Sequence, residues 1–133
     1  MGTFDAIGIA GSGMSVYRTW LDAISDNLAN LNTVRGTGEE AFRARYVKAS
    51  SVEYGQPAGA RVDRIALGSA EGRMVYEPTN PLADEQGYVR YPDIDMSTQM
   101  TSLIMAQRAY QANAAVVERA KESYQAALQI GRS

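Results

Sequence analysis

Apolar residues recur at Ile7, Ala10, Met14, Tyr17, Leu21, Ile24, Leu28 and Leu31, in strictly alternating steps of three and four. An average step of 3.5 draws one stripe along one side of an α-helix. The pattern predicts a helix over residues 4–31, about 42 Å long at roughly 1.5 Å per residue. Gly8, Gly11 and Gly13 weaken its first turns. A second stripe runs from Met96 through Met100, Leu103, Tyr110, Ala114, Val117, Tyr124 and Leu128. Gln107 and Lys121 interrupt it, with Ala106 and Ala120 beside them. It predicts a helix over about 97–130, roughly 50 Å long. Asp93 or Asp95 can cap its start and Gly131 can end it.

Between the helices the period changes to two. Phe42, Ala44 and Tyr46 alternate with Arg43 and Arg45, and "ARVDRIAL" (60–67), "RMVYEP" (73–78) and "GYVRYP" (87–92) supply three more short candidate strands. Pro78 and Pro92 stop the last two. "EYGQPAGA" (53–60) reads as a loop, and segments 34–41 and 55–60 are expected to be mobile. The fold class is therefore mostly α with a small β-rich insert.

The backs of the helices are unusual. Residues 4–31 carry only Asp5, Arg18, Asp22 and Asp26 as charges, and residues 97–117 only Arg108. A helix back in water normally carries dense Glu, Lys and Arg. Neutral, small residues all round imply cover all round, and 133 residues are too few to cover both helices. Other subunits are expected to supply the cover, through a repeated contact. Asn27, Asn30 and Asn32, poor helix formers that hydrogen-bond well, fit that interface with Thr33. Asn32 and Thr33 are also expected to end the first helix.

Composition removes most chemistry. The chain has no cysteine and no histidine, so thiolate sites and the commonest general base are gone. Net charge is −2 and the pI about 5.1, against a nucleic-acid partner. "GIAGSG" (8–13) is not a dinucleotide fingerprint and no strand precedes it. "DIDMSTQM" (93–100) has Thr98 at the sixth position and Ile104 at the twelfth, so it is no calcium loop. Asp84 and Glu85 beside a Gly turn read as a solvated loop rather than a catalytic pair. No catalytic, cofactor or metal residue is assigned. No signal sequence is visible, and the uncharged run 6–17 is too short to span a bilayer. Residues 34–64 sum to +2 and residues 77–95 to −4, a match that could operate within one insert or between molecules.

"AIGIAGSGMSVYRTWLDAISDNLANLNT" (6–33) resembles the N-terminal signature of bacterial flagellar axial proteins. Residues 81–132, with "ADEQGYVRYP" and "RAYQAN", resemble the C-terminal part of the proximal rod members of that family. Gly11, Met14, Leu21, Asn27, Leu28, Asn30 and Thr33 match the first motif. Ala83, Asp84, Glu85, Gly87, Tyr88, Val89 and Pro92 match the turn before the last helix, and Arg108, Tyr110, Ala112 and Asn113 match that helix. Where the family usually has "PNVN" followed by acidic residues, this chain has "DIDMSTQM".

The resemblance implies a non-enzymatic structural subunit. Its terminal helices would form an antiparallel coiled-coil inner domain from 1–33 and 79–133, with 79–95 as the leading turn, and 34–78 a small β-rich outer domain. The intramolecular seam would use Ile7, Met14, Tyr17, Leu21, Ile24, Leu28, Leu31, Met100, Leu103, Tyr110, Val117, Tyr124 and Leu128. Arg108, Gln111 and Asn113 would join the asparagines and Thr33 at the assembly interface. Partners would be copies of itself and other rod proteins, with the export gate and MS ring at the rod base. Such subunits leave through the flagellar type III apparatus without a cleaved signal and form the rod in the periplasm around the export channel. The competing class is a soluble helical-hairpin adaptor or export chaperone that does not polymerise.

Overall fold

A computed structural model describes residues 2–132. The elements in chain order are α1 (Thr3–Ala29), β1 (Arg45–Glu53), β2 (Pro57–Leu67), β3 (Arg73–Tyr76), β4 (Tyr88–Tyr91) and α2 (Met96–Arg132). Residues 1 and 133, the outer limits of the expected inner domain, lie outside the described residues.

The two helices pack antiparallel. Phe4 meets Tyr124 edge to face at 5.0 Å between ring centroids, Gly13 lies against Asn113, and Asn27 bonds Gln99. Positions rise on one helix as they fall on the other. A Cβ on Gly13 would sit 3.0 Å from Asn113 Nδ2, so the glycine that costs helix propensity permits the close approach. Buried alanines at 10, 23 and 106 keep the pair tight along its length.

Helix ends follow local chemistry. Asp95 Oδ2 accepts from Thr98 N–H (3.2 Å) and Thr98 Oγ1–H (2.6 Å), capping α2. Gly131 lies inside α2, which continues to Arg132, so it does not end the helix as expected. Helix α1 stops at Ala29, two residues before the expected Leu31, because Asn30 leaves helical geometry at φ −105°. The Asn30 amide donates to Asp26 O (2.9 Å) and its Oδ1 accepts from Thr33 Oγ1 (3.2 Å). Asn30, not Asn32 with Thr33, closes the helix.

The insert forms two separate antiparallel hairpins, β1–β2 and β3–β4. Arg35 bridges Arg90 on the free edge of β4 (N···O 2.9 and 2.8 Å). The reading of 41–44 as strand fails: Ala41 and Ala44 are buried and tied to Ala70 and Gly68 instead. The expected loop at 53–60 shrinks, since Pro57–Ala60 belong to β2.

The β1–β2 hairpin folds back onto α1. Ser12 Oγ donates to Ile9 O (2.7 Å) and accepts from Ala60 N–H (3.0 Å). Gly59 makes this possible. Its φ is +128°, and an added Cβ would lie 2.3 Å from Ser12 Oγ. Helix α1 is therefore covered on two sides, by α2 and by the hairpin, whereas among the described residues α2 packs against no element but α1. The expectation that only other subunits could cover α1 is thereby corrected.

Candidate assembly interface

The asparagine at the end of α1 organises the junction of three segments. Asn27 is 1 % exposed. Its Oδ1 accepts from Arg45 N–H (2.8 Å), and its Nδ2 donates to Arg45 O (3.0 Å) and Gln99 Oε1 (3.1 Å). One side chain thus holds the start of β1 and the first turn of α2 against α1. The Arg45 guanidinium adds a 2.5 Å ion pair to Asp26 on the surface. The interface role expected for Asn27 is corrected: its amide is fully engaged within its own chain, out of reach of a neighbour.

The turn before α2 is held as firmly. Asp84 Oδ1 accepts from Gln86 N–H and Tyr88 N–H (both 2.9 Å), and its Oδ2 accepts from Thr37 (3.1 Å). These bonds, that from Tyr88 foremost, hold its pKa below the usual carboxylate value. Glu77, bonded to Asn80 and to the Tyr91 hydroxyl (2.8 Å), is likewise lowered, and the hydrogen bond it accepts raises the Tyr91 phenol. Asp95 is lowered by its bonds to Thr98. Arg90 donates to Thr37 O (2.7 Å) and to Glu71 O, joining this turn to the chain that leaves α1.

On α2 the half-buried and buried stripe is Gln99, Leu103, Ala106, Tyr110, Asn113, Val117 and Ala120. Leu103, Tyr110 and Val117, expected in the seam, are half-buried. Met100 is not: it is 41 % exposed, because Gln99 takes the inner slot against Asn27. Tyr124 reaches Phe4 but is half open. Leu128, 47 % exposed, lies past the start of α1, on an overhang of roughly 12 Å, and so outside the seam. On α1, Ile24 is fully buried, and Ile7, Met14, Tyr17, Leu21 and Leu28 are half-buried, as is Leu31 just beyond it.

The other interface candidates separate by exposure. Asn32, Arg108 and Gln111 are exposed, and Thr33 and Asn30 close the α1 turn. Asn113 faces Gly13 within the chain. Away from α1, α2 presents Met100, Ile104 (48 % exposed) and Met105 (57 % exposed) with no charge but Arg108 through residue 117. An open groove of about 600 Å³ separates the hairpin from α1, lined by Val16, Tyr17, Trp20, Val47, Pro57 and Asn113 among others.

A profile for the flagella basal body rod protein family matches residues 7–35, and one for the C-terminal part of flagellar basal body rod FlgEFG proteins matches residues 85–130. The flagellar basal-body rod protein FlgC of Yersinia enterocolitica is 34% identical over 134 aligned positions, covering 99% of this chain and 100% of that protein. This chain belongs to the FlgC family. The Salmonella typhimurium FlgC is 32% identical with the same coverage, and the Bacillus subtilis FlgC 29% identical over 150 positions. The two profile matches, to rod proteins in general and to the C-terminal part of FlgEFG proteins, cover most of α1 with its exit and nearly all of α2, so the two segments joined at Asn27 and Gln99 are the ones that carry the rod-protein pattern.

Ser12, Gly59, Arg45 and Gln99 are the structural residues that sequence reasoning missed. Gln99 was detectable as a polar residue beside the Met100 slot. Nothing local to Ser12 and Gly59 announces a contact across 47 residues of chain.

Proposed function

We propose that this chain is a structural subunit of the proximal rod of the bacterial flagellar basal body. The carrying observation is the bare outward face of α2, with Arg108 as its one charge through residue 117, in a chain that aligns end to end with rod proteins. A face of Met100, Ile104 and Met105 gains free energy when a neighbour removes it from water. The antiparallel helix pair would act as a coiled-coil inner layer, repeated about the export channel, with the hairpins outside it. Asn30, Asn32, Thr33, Arg108 and Gln111 would contact neighbouring subunits. The subunit would travel through the flagellar type III apparatus and assemble in the periplasm on the MS ring and export gate, with other rod proteins above.

The test is complementation of a strain lacking its own FlgC. Wild-type chain should restore swimming and appear in purified basal bodies. Ile104→Lys with Met105→Lys should fold, be made at normal levels, and be absent from basal bodies. Normal rods built from that variant would refute the role of the face. Recovery of the chain only in discrete soluble complexes would favour the adaptor or chaperone reading, which these relatives do not support.

A further inference from the structure

The chain has no cysteine, so its six methionines are its only sulfur. Three of them, Met96, Met100 and Met105, fall in the opening turns of α2. Met96 and Met105 are each 57 % exposed and Met100 is 41 % exposed. Met96, Met100 and Ile104 follow one another at steps of four, which lays them in a row along one side of the helix, with Met105 next to Ile104. Two other methionines differ in setting. Met14 is half-buried on α1, and Met74 is 48 % exposed on β3, which makes no contact with α2 among the described residues.

In a chain without thiols, a hydroperoxide attacks an accessible thioether. The sulfur lone pair takes one peroxide oxygen and the O–O bond breaks. The transferred hydroxyl gives its proton to the departing hydroxide, which leaves as water. Sulfur loses two electrons to the peroxide and is left as the sulfoxide.

That change turns a flexible apolar side chain into a polar one. At an exposed position it disturbs the folded chain little. Its effect falls on the next step. A polar group buried under a neighbour without a hydrogen bond weakens the contact by about tenfold or more. The methionines of α2 thus combine two properties: they are open to a peroxide in the free subunit, and they sit on the face that gains by being covered.

We propose that Met96, Met100 and Met105 form a peroxide-sensitive patch whose oxidation to sulfoxide keeps a free subunit out of the rod. The inference rests on the reading of this helix face as an assembly surface, and adds a chemical control over which subunits are accepted. Met74 is the internal contrast, equally open to oxidant but on a different element.

Two experiments test it. In the first, the purified full-length chain is treated with dilute hydrogen peroxide. Peptide mass spectrometry should find sulfoxide at Met96, Met100, Met105 and Met74 about tenfold ahead of Met14, with circular dichroism unchanged. Equal rates at Met14, or loss of helix, would overturn the patch. In the second, the chain is made in a strain that lacks its own FlgC and holds one other rod protein under separate control. A sublethal peroxide pulse, giving mostly single sulfoxides, is quenched with catalase before that rod protein is induced. Chain recovered from basal bodies should carry about tenfold less sulfoxide at Met96, Met100 and Met105 than unassembled chain, while Met74 sulfoxide divides evenly. Equal sulfoxide at the α2 sites in both pools, or equal exclusion of Met74 sulfoxide, would overturn the proposal. Met96→Leu with Met100→Leu and Met105→Leu should enter basal bodies within about twofold of wild type, pulsed or not. Met96→Gln with Met100→Gln and Met105→Gln, polar as the sulfoxide is, should be excluded about tenfold without any peroxide. Exclusion of the leucine variant, or normal entry of the glutamine variant, would remove polarity as the cause. Absence of unoxidised wild-type chain from basal bodies would instead mark failure of the rod reading.

Discussion

Helices α1 and α2 are equally poor in charge along most of their length, yet their surroundings differ. Helix α1 has α2 on one side and the β1–β2 hairpin on another, latched through Ser12 and Ala60. Among the described residues helix α2 has α1 alone, and its outward methionines and isoleucine stay in water. A missing polar face therefore has two distinct causes in one molecule. On α1 it reflects cover by a distant part of the same chain. On α2 it marks cover that the chain does not provide. Charge patterning detects that a helix is covered, but not by what.

The largest effect should come from the point where both helices and the hairpin meet. Asn27→Leu leaves Arg45 N–H, Arg45 C=O and Gln99 without their buried partner, and should cost about 3 kcal/mol in urea unfolding. Equal loss of hairpin and helix-pair contacts in that variant would confirm a single junction; an unchanged midpoint would break it. Gly59→Val should cost about 2 kcal/mol, from backbone strain and the clash with Ser12. It should expose α1 near Ser12 to amide exchange and leave α2 unaffected. Similar changes on both helices would erase the distinction drawn between them.

Acid should loosen the leading turn next. The lowered Glu77, Asp84 and Asp95 contribute stability that is fully present above about pH 4, the ordinary carboxylate range, and lost as pH falls through their depressed values. Asp84→Asn should flatten the acid limb of the melting curve, followed by circular dichroism; an unaltered limb would remove the turn from the account. The smallest effect on the isolated chain belongs to α2. Met100→Lys should change unfolding free energy by no more than about 0.5 kcal/mol, as for an exposed site. A loss of several times that would mean the face is already covered within the monomer.

Most of the architecture was legible in the sequence. Two helices, four short strands and the Asp95 cap follow from period, proline position and capping chemistry, all of which act over a few residues. The phase of α2 was not. The stripe through Met100 was chosen for apolarity, and the structure turns the inner face to Gln99 because a buried amide on α1 needs an acceptor there. Asn27 was read as a surface group for the same reason in reverse: an amide in a helix looks equally suited to a neighbour or to its own chain. The hairpin's return to α1 depends on Gly59 and Ser12, whose pairing no local pattern encodes. Arg90's hold on Thr37 and Glu71 is likewise a long-range contact.

Oxidative footprinting of the methionines tests the central difference most directly. Met100 and Met105 should react readily in the isolated subunit and become protected in assembled basal bodies, while half-buried Met14 changes little between the two. Equal reactivity of Met100 and Met105 in both states would contradict the account, because the outward face of α2 would then remain in solvent after assembly.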